Sequence, residues 1–206
     1  DAVTFSDGGT HTIDYTIPGG VTISGSTTVN MLDGAELKSG LVIYGVDSTL
    51  NFYGGEVLDE FRSGSDAVIN IYGGNIPTGI VNAGSTLNIY DGSVSEVLAW
   101  QSWGWLNIYG GTVGGINAGA QTISIAGGTV GGMFVESSSK VEISGGTFVG
   151  SSLFDNLQVC NITGGDFKRS ITYRVYGAGC HIKGGQFSEP FIYQEDIYAD
   201  WVLLYF

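Results

Sequence analysis

Apolar and polar residues alternate along this chain in short runs, and the runs repeat. The clearest is Trp105-Leu106-Asn107-Ile108-Tyr109-Gly110-Gly111-Thr112-Val113, with near-copies from Thr49 to Val57, Val68 to Ile76 and Thr86 to Val94. Looser copies run from Thr122 to Val130, Lys140 to Phe148, Val159 to Phe167 and Gly179 to Phe187. Counted at the final apolar residue, consecutive copies lie 17 to 20 residues apart. Self-similarity at a near-fixed period marks a repeat architecture. Inside each copy the alternation has the two-residue period of a strand, in which successive side chains face opposite sides. Leu50, Phe52 and Val57 are therefore expected inward and Asn51, Tyr53 and Glu56 outward, with Gly54-Gly55 bending the chain between two strands.

The period narrows the architecture. It is too short for a four-stranded propeller blade, and the leucine pattern of leucine-rich repeats is missing. It suits one coil of a parallel β-helix, whose copies stack about 4.8 Å apart. Strict six-residue sub-repeats, which would mark a left-handed form, do not occur, so the right-handed form is expected. The inward columns read Leu50, Ile69, Leu87, Leu106, Ile123, Val141, Cys160, Cys180, then Phe52, Ile71, Ile89, Ile108, Ile125, Ile143, Ile162, Ile182. A post-bend column reads Val57, Ile76, Val94, Val113, Val130, Phe148, Phe167, Phe187. Three apolar ladders make a core that no single coil could bury alone. The expected fold is all-β, a single-domain right-handed parallel β-helix of about 10–11 coils at a period of 17–20 residues. Residues 1–48 carry the grammar less cleanly and read as degenerate opening coils or a cap. Residues 49–187 are the regular repeats, and 188–206 an aromatic tail that caps the rod or pairs with a neighbour.

Composition agrees: 35 glycines without collagen order, only 3 prolines, and a remainder rich in strand formers. Twenty acidic against seven basic residues leave a net charge of −13. Nucleic acid and acidic polysaccharide are therefore unexpected partners, since either would need a basic stripe; Lys168-Arg169 with Arg174 is only a small local cluster. No apolar run of about 18 residues is present, so membrane insertion is not expected. A start at Asp1, scarce lysine and two cysteines point to an exported mature protein or excised domain, extracellular or at a cell surface.

Candidate chemistry is sparse. Cys160 and Cys180 share one inward column in consecutive coils, where both buried thiols and an inter-coil disulfide fit. His181 should face away from Cys180 and His11 is distant, so no metal site is expected there. Tyr53, Tyr72, Tyr90 and Tyr109 form an outward column beside Asn51, Asn70, Asn88 and Asn107, with Trp100, Trp103 and Trp105 close by. Such columns can stabilise the sheet, pack against another protein or bind sugars. The outward acids Glu56, Asp91, Glu142 and Asp166 lie in different coils, unlike the facing pair of a glycosidase. Asp59, Glu60 and Asp66 form the densest acidic loop, a weak candidate for calcium; otherwise no cofactor is expected. Asn161-Ile162-Thr163 is a sequon that makes Asn161 a glycosylation candidate.

At the level of these Leu-Asn-Ile-Tyr-Gly-Gly-Thr-Val coils, residues 21 to 187 resemble the right-handed parallel β-helix proteins of microbial surfaces. That group includes autotransporter passengers, adhesins, sheath and surface-layer proteins and the pectate-lyase-like enzymes. The resemblance implies the fold. It carries over no catalytic residue, because the Arg/Lys and Asp constellation of the lyases is not visible here. The expected function is a non-enzymatic extracellular structural protein that assembles with its own copies. The solenoid ends, the Tyr53–Tyr109 face and the tail residues Trp201, Leu203, Tyr205 and Phe206 would make the contacts. The alternatives are a carbohydrate-binding adhesin and a polysaccharide lyase or hydrolase.

Overall fold

The structure, a computed structural model, describes residues 1–64, 66–82, 84–99, 104–119, 121–136, 138–175 and 180–195. Among these residues every element is a strand, and every pairing between strands is parallel. The chain is a parallel β-solenoid. One wall is a ten-stranded sheet whose rungs follow in sequence order: Thr10–Ile13, Thr28–Met31, Thr49–Phe52, Val68–Ile71, Thr86–Ile89, Trp105–Ile108, Thr122–Ile125, Lys140–Ile143, Val159–Ile162 and Cys180–Ile182. Among the described residues ten rungs enclose about nine complete turns, against the 10–11 coils expected from the sequence. Residues 1–48 supply the first two rungs in unbroken register with the third, Ile13 opposite Met31 and Met31 opposite Phe52.

Alternation within each rung is what the repeat demands. Leu106 and Ile108 are fully buried while Trp105 stays exposed, and the post-bend column is buried in the same way from Val57 to Phe167. The expectation weakens at the last coil, where Ile182 is only partly buried and Phe187 is 37% exposed, because neither column has a further coil above it among the described residues. Inside, the post-bend column ends in a row of stacked rings: Phe148 and Phe167 lie 4.4 Å apart, Phe167 and Phe187 4.9 Å.

The bend between the two walls rests on a division of labour within each Gly-Gly pair. Gly111 holds φ at +71°, a conformation that L side chains rarely adopt. Gly110 has an ordinary φ, but a β-carbon there would stand 2.2 Å from the carbonyl oxygen of Tyr90 in the preceding coil. One glycine turns the chain, and the other lets the coils approach.

The returning segments are strands too. A second sheet gathers the short strands after each bend, such as Glu56–Val57, with longer ones such as Glu60–Gly64. In the middle of the rod the two fuse into single long strands, Ser93–Ala99, Thr112–Gly119 and Thr129–Glu136. These strands add inward columns beyond the three read from the sequence: Phe61, Val97, Ile116 and Met133 in one, Val81, Ala99, Ala118, Val135 and Phe154 in another, all buried. Where the first of these columns has Gly79, a β-carbon would lie 2.7 Å from the Phe61 ring. The large ring of one coil occupies the space that glycine leaves in the next.

Candidate functional site

The outer surface of the ten-stranded sheet carries the candidate residues, and strand geometry places them in straight columns. Asn51, Asn70, Asn88 and Asn107 stand in register on successive rungs. Each donates from Nδ2 to the Oδ1 of the asparagine one rung earlier, at 2.9 Å in every link. The row begins earlier than the sequence reading placed it, because Asn51 donates to Asn30, also at 2.9 Å. The 21-residue coil between those two asparagines hides Asn30 from a search at the usual period. All the amides point the same way, which lets each bond polarise the next.

Two residues further along the chain, the tyrosines form a second row. Tyr53–Tyr72, Tyr72–Tyr90 and Tyr90–Tyr109 are stacked with ring centroids 5.0, 4.8 and 5.0 Å apart and planes within 12° of parallel. The end rings are 48–49% exposed and the inner two 39–41%, so stacking covers ring faces and leaves edges and hydroxyls to solvent. Tyr72 has the higher phenol pKa that this position implies. Its neighbours strip water from it, and charge on Tyr90 or Tyr53 would repel its own. Trp105, 46% exposed, adds an indole on the rung of Asn107, between Thr86 and Thr122 in its own column. Trp100 and Trp103 lie outside the described residues, as do Trp201, Leu203, Tyr205 and Phe206.

Beyond Tyr109 both rows stop together. In the tyrosine column the next residues are Ala126, Ser144, Thr163 and Lys183; in the asparagine column they are Ser124, Glu142, Asn161 and His181. Small side chains replace rings, and the surface drops into an open groove of about 550 Å³ lined by Ser124, Glu142, Ser144, Asn161, Thr163, His181 and Lys183. The outward alternation alone does not show that these substitutions form a concavity. The signal was the simultaneous change in two columns at one rung. Asn161, the glycosylation candidate, lies half-buried in this groove.

The remaining candidates are dispersed or structural. Glu60 is held by the Arg62 guanidinium, with Nε at 2.6 Å. The strand Glu60–Gly64 separates Asp59 and Glu60 from Asp66, which occupies the following corner at φ +63°. Among the described residues no three His, Cys, Asp or Glu side chains gather where a metal ion could be held. Cys160 and Cys180 are joined by a disulfide between adjacent rungs, their Cα atoms 4.5 Å apart, and His181 faces outward as expected. Among the described residues no helix is long and apolar enough to cross a membrane. Comparison of the chain with protein families, with curated proteins and with solved structures finds no match.

Proposed function

We propose that this chain is a non-enzymatic structural solenoid of an exported or cell-surface protein, of the sheath, surface-layer or filament kind, that associates with its own copies. The observation that carries this reading is the row of four mutually stacked, half-exposed tyrosines running beside the asparagine ladder. Stacking and hydrogen bonding hold these side chains in one arrangement before any partner arrives, so little rotamer freedom remains to be lost on contact. Aromatic edges with hydroxyl tips suit a protein interface, where tyrosine is enriched. The four rings form a contiguous, partly apolar strip, and Trp105 adds an exposed indole on the far side of the asparagine column. A second copy turned by a two-fold axis offers the same strip, which is the self-complementarity of an isologous contact. The inter-coil disulfide is in keeping with an oxidising compartment. Pairing between solenoid ends would extend such pairs into longer arrays.

Sedimentation velocity over a concentration series, with and without calcium and across neutral and acidic pH, tests the proposal. Concentration-dependent oligomers are expected, and the Tyr72→Ser, Tyr90→Ser double variant should shift the equilibrium towards monomer by about tenfold or more. A wild-type chain that stays monomeric under all these conditions would sink the reading.

A further inference from the structure

The point where the tyrosine row ends differs from the rest of it. Inside the row every ring face is covered by the next ring at about 5 Å. A flat ligand therefore finds only edges there. At the far end of Tyr109 the following rung places Ala126 in that column, exposed and with nothing beyond its β-carbon. At the opposite end of the row the preceding rung supplies Leu32 in that column, a bulkier neighbour for Tyr53. Tyr53 and Tyr109 are equally exposed, at 48% and 49%, so each end of the ladder leaves a ring face open, and the one that looks towards Ala126 lies at the end from which the groove runs.

Three further features converge beside it. The asparagine row ends on the same rung: Asn107 donates to Asn88, and the residue that would have donated to Asn107 Oδ1 is replaced by Ser124. That carbonyl terminates a run of aligned amides, and each aligned bond strengthens the acceptor at the end. The groove continues from this point along the axis, offering the Ser124 and Ser144 hydroxyls, the Glu142 carboxylate and the Asn161 amide. Its positions advance by one rung, about 4.8 Å, so polar side chains of successive rungs flank the rim of a ring stacked beyond Tyr109.

We propose that this step is a binding site for a neutral oligosaccharide. One sugar ring lies with its C–H face on the free face of Tyr109, above Ala126, and its rim hydroxyls face the head of the groove. The chemistry selects this class of ligand. A pyranose presents an apolar face for the ring and hydroxyls around its rim. Asn107 Oδ1 and the Glu142 carboxylate accept from those hydroxyls, while Ser124, Ser144 and Asn161 both donate and accept. The net charge of −13 disfavours a polyanionic glycan. The site occupies the end of the ladder rather than its length and does not depend on self-association.

The test is titration calorimetry of the full chain, produced in a bacterial host so that Asn161 carries no glycan, against cello-, xylo-, manno- and chitohexaose. At least one of the four should bind with a dissociation constant below a millimolar. Tyr109→Ala, which removes the platform, and Ala126→Tyr, which extends the ladder over the site, should each weaken that binding by about tenfold or more. Glu142→Gln should weaken it severalfold, and Tyr53→Ala, at the other end of the row, should change it less than about twofold. All these positions are exposed or partly exposed, and circular dichroism verifies that each variant keeps its fold. The proposal is overturned if none of the four sugars binds at millimolar concentration, or if Ala126→Tyr binds as well as wild type. Equal losses from Tyr53→Ala and Tyr109→Ala would also overturn it, since the sugar would then lie along the ridge.

Discussion

Gly111 and Gly115 lie four residues apart in one coil, yet they are under opposite constraints. A β-carbon at Gly111 would stand 2.7 Å from the carbonyl oxygen of Gly92, on a backbone already at φ +71°, whereas at Gly115 it would meet nothing within 4 Å. Gly111→Ala should therefore destabilise the fold by at least about 2 kcal/mol. Gly115→Ala should stay within about 0.5 kcal/mol of wild type. Urea unfolding followed by circular dichroism separates the two, and equal effects would refute the assigned roles. Tyr72 supports a prediction about pH. Its folded pKa is raised above the ordinary value of 10.0, chiefly because its neighbours desolvate it. A raised pKa means the folded chain holds the phenol proton more tightly than the unfolded chain. This contribution to stability is complete below pH 10 and is lost as pH climbs through the higher folded value. Alkaline titration read by phenolate absorbance should show a late component that disappears in Tyr72→Phe. At this scale the sequence was informative about direction, since inward and outward positions follow from alternation alone. It did not show that the outward tyrosines use up each other's faces. That depends on rotamers and rung spacing, which no two-residue period contains.

The rungs and their return segments differed in how readily they could be read. Rungs such as Thr86–Ile89 keep four residues and one alternation in nearly every coil, so they stand out. Return strands such as Thr112–Gly119 and Ser152–Asp155 differ in length, and their inward columns are interrupted by Gly79 and Ser63. Phe61 fills the first gap; at the second, Ser63 Oγ lies 2.8 Å from Ser85 Oγ. Packing between coils compensates for what the local pattern lacks, so the pattern alone could not reveal the strands. The Cys160–Cys180 bridge acts at this scale as well. It closes a separation of 20 residues between adjacent rungs, which is worth about 3 kcal/mol by chain-entropy reasoning. Because each coil touches only its neighbours, the effect should stay local. Hydrogen exchange on the Cys160→Ser, Cys180→Ser variant should show lost protection in Val159–Ile162 and Cys180–Ile182 and none in Thr49–Phe52. A uniform loss along the rod would contradict a nearest-neighbour solenoid.

For the molecule as a whole, the register predicts that coils can be removed as units. Thr86 pairs with Trp105 and Val68 with Thr86, so deleting residues 86–104 places Trp105 where Thr86 stood. Leu106, Ile108 and Tyr109 then meet Ile69, Ile71 and Tyr72, the same kinds of residue that they meet now. The shortened chain should keep its β-sheet spectrum, unfold cooperatively and be about 4.8 Å shorter by small-angle scattering. Collapse into an unfolded or aggregated state would show that the coils are not interchangeable. Overall architecture was the most legible level, because a period near 19 with three apolar columns leaves few folds open. The groove beyond Tyr109 was the least legible, since a concavity arises only when coils of different outer composition are stacked.

The corners take up the length differences between coils, 17 to 21 residues from one rung to the next, while the rungs stay in step. In the gene, that corresponds to a unit of roughly nineteen codons. Tandem duplication of such a unit would add a rung whose two faces already fit its neighbours, and small slippages at a corner would be harmless. A one-residue slip inside a rung would turn its core side chains out to solvent. A lineage carrying this chain can therefore lengthen its rod in whole steps and alter one outward column at a time.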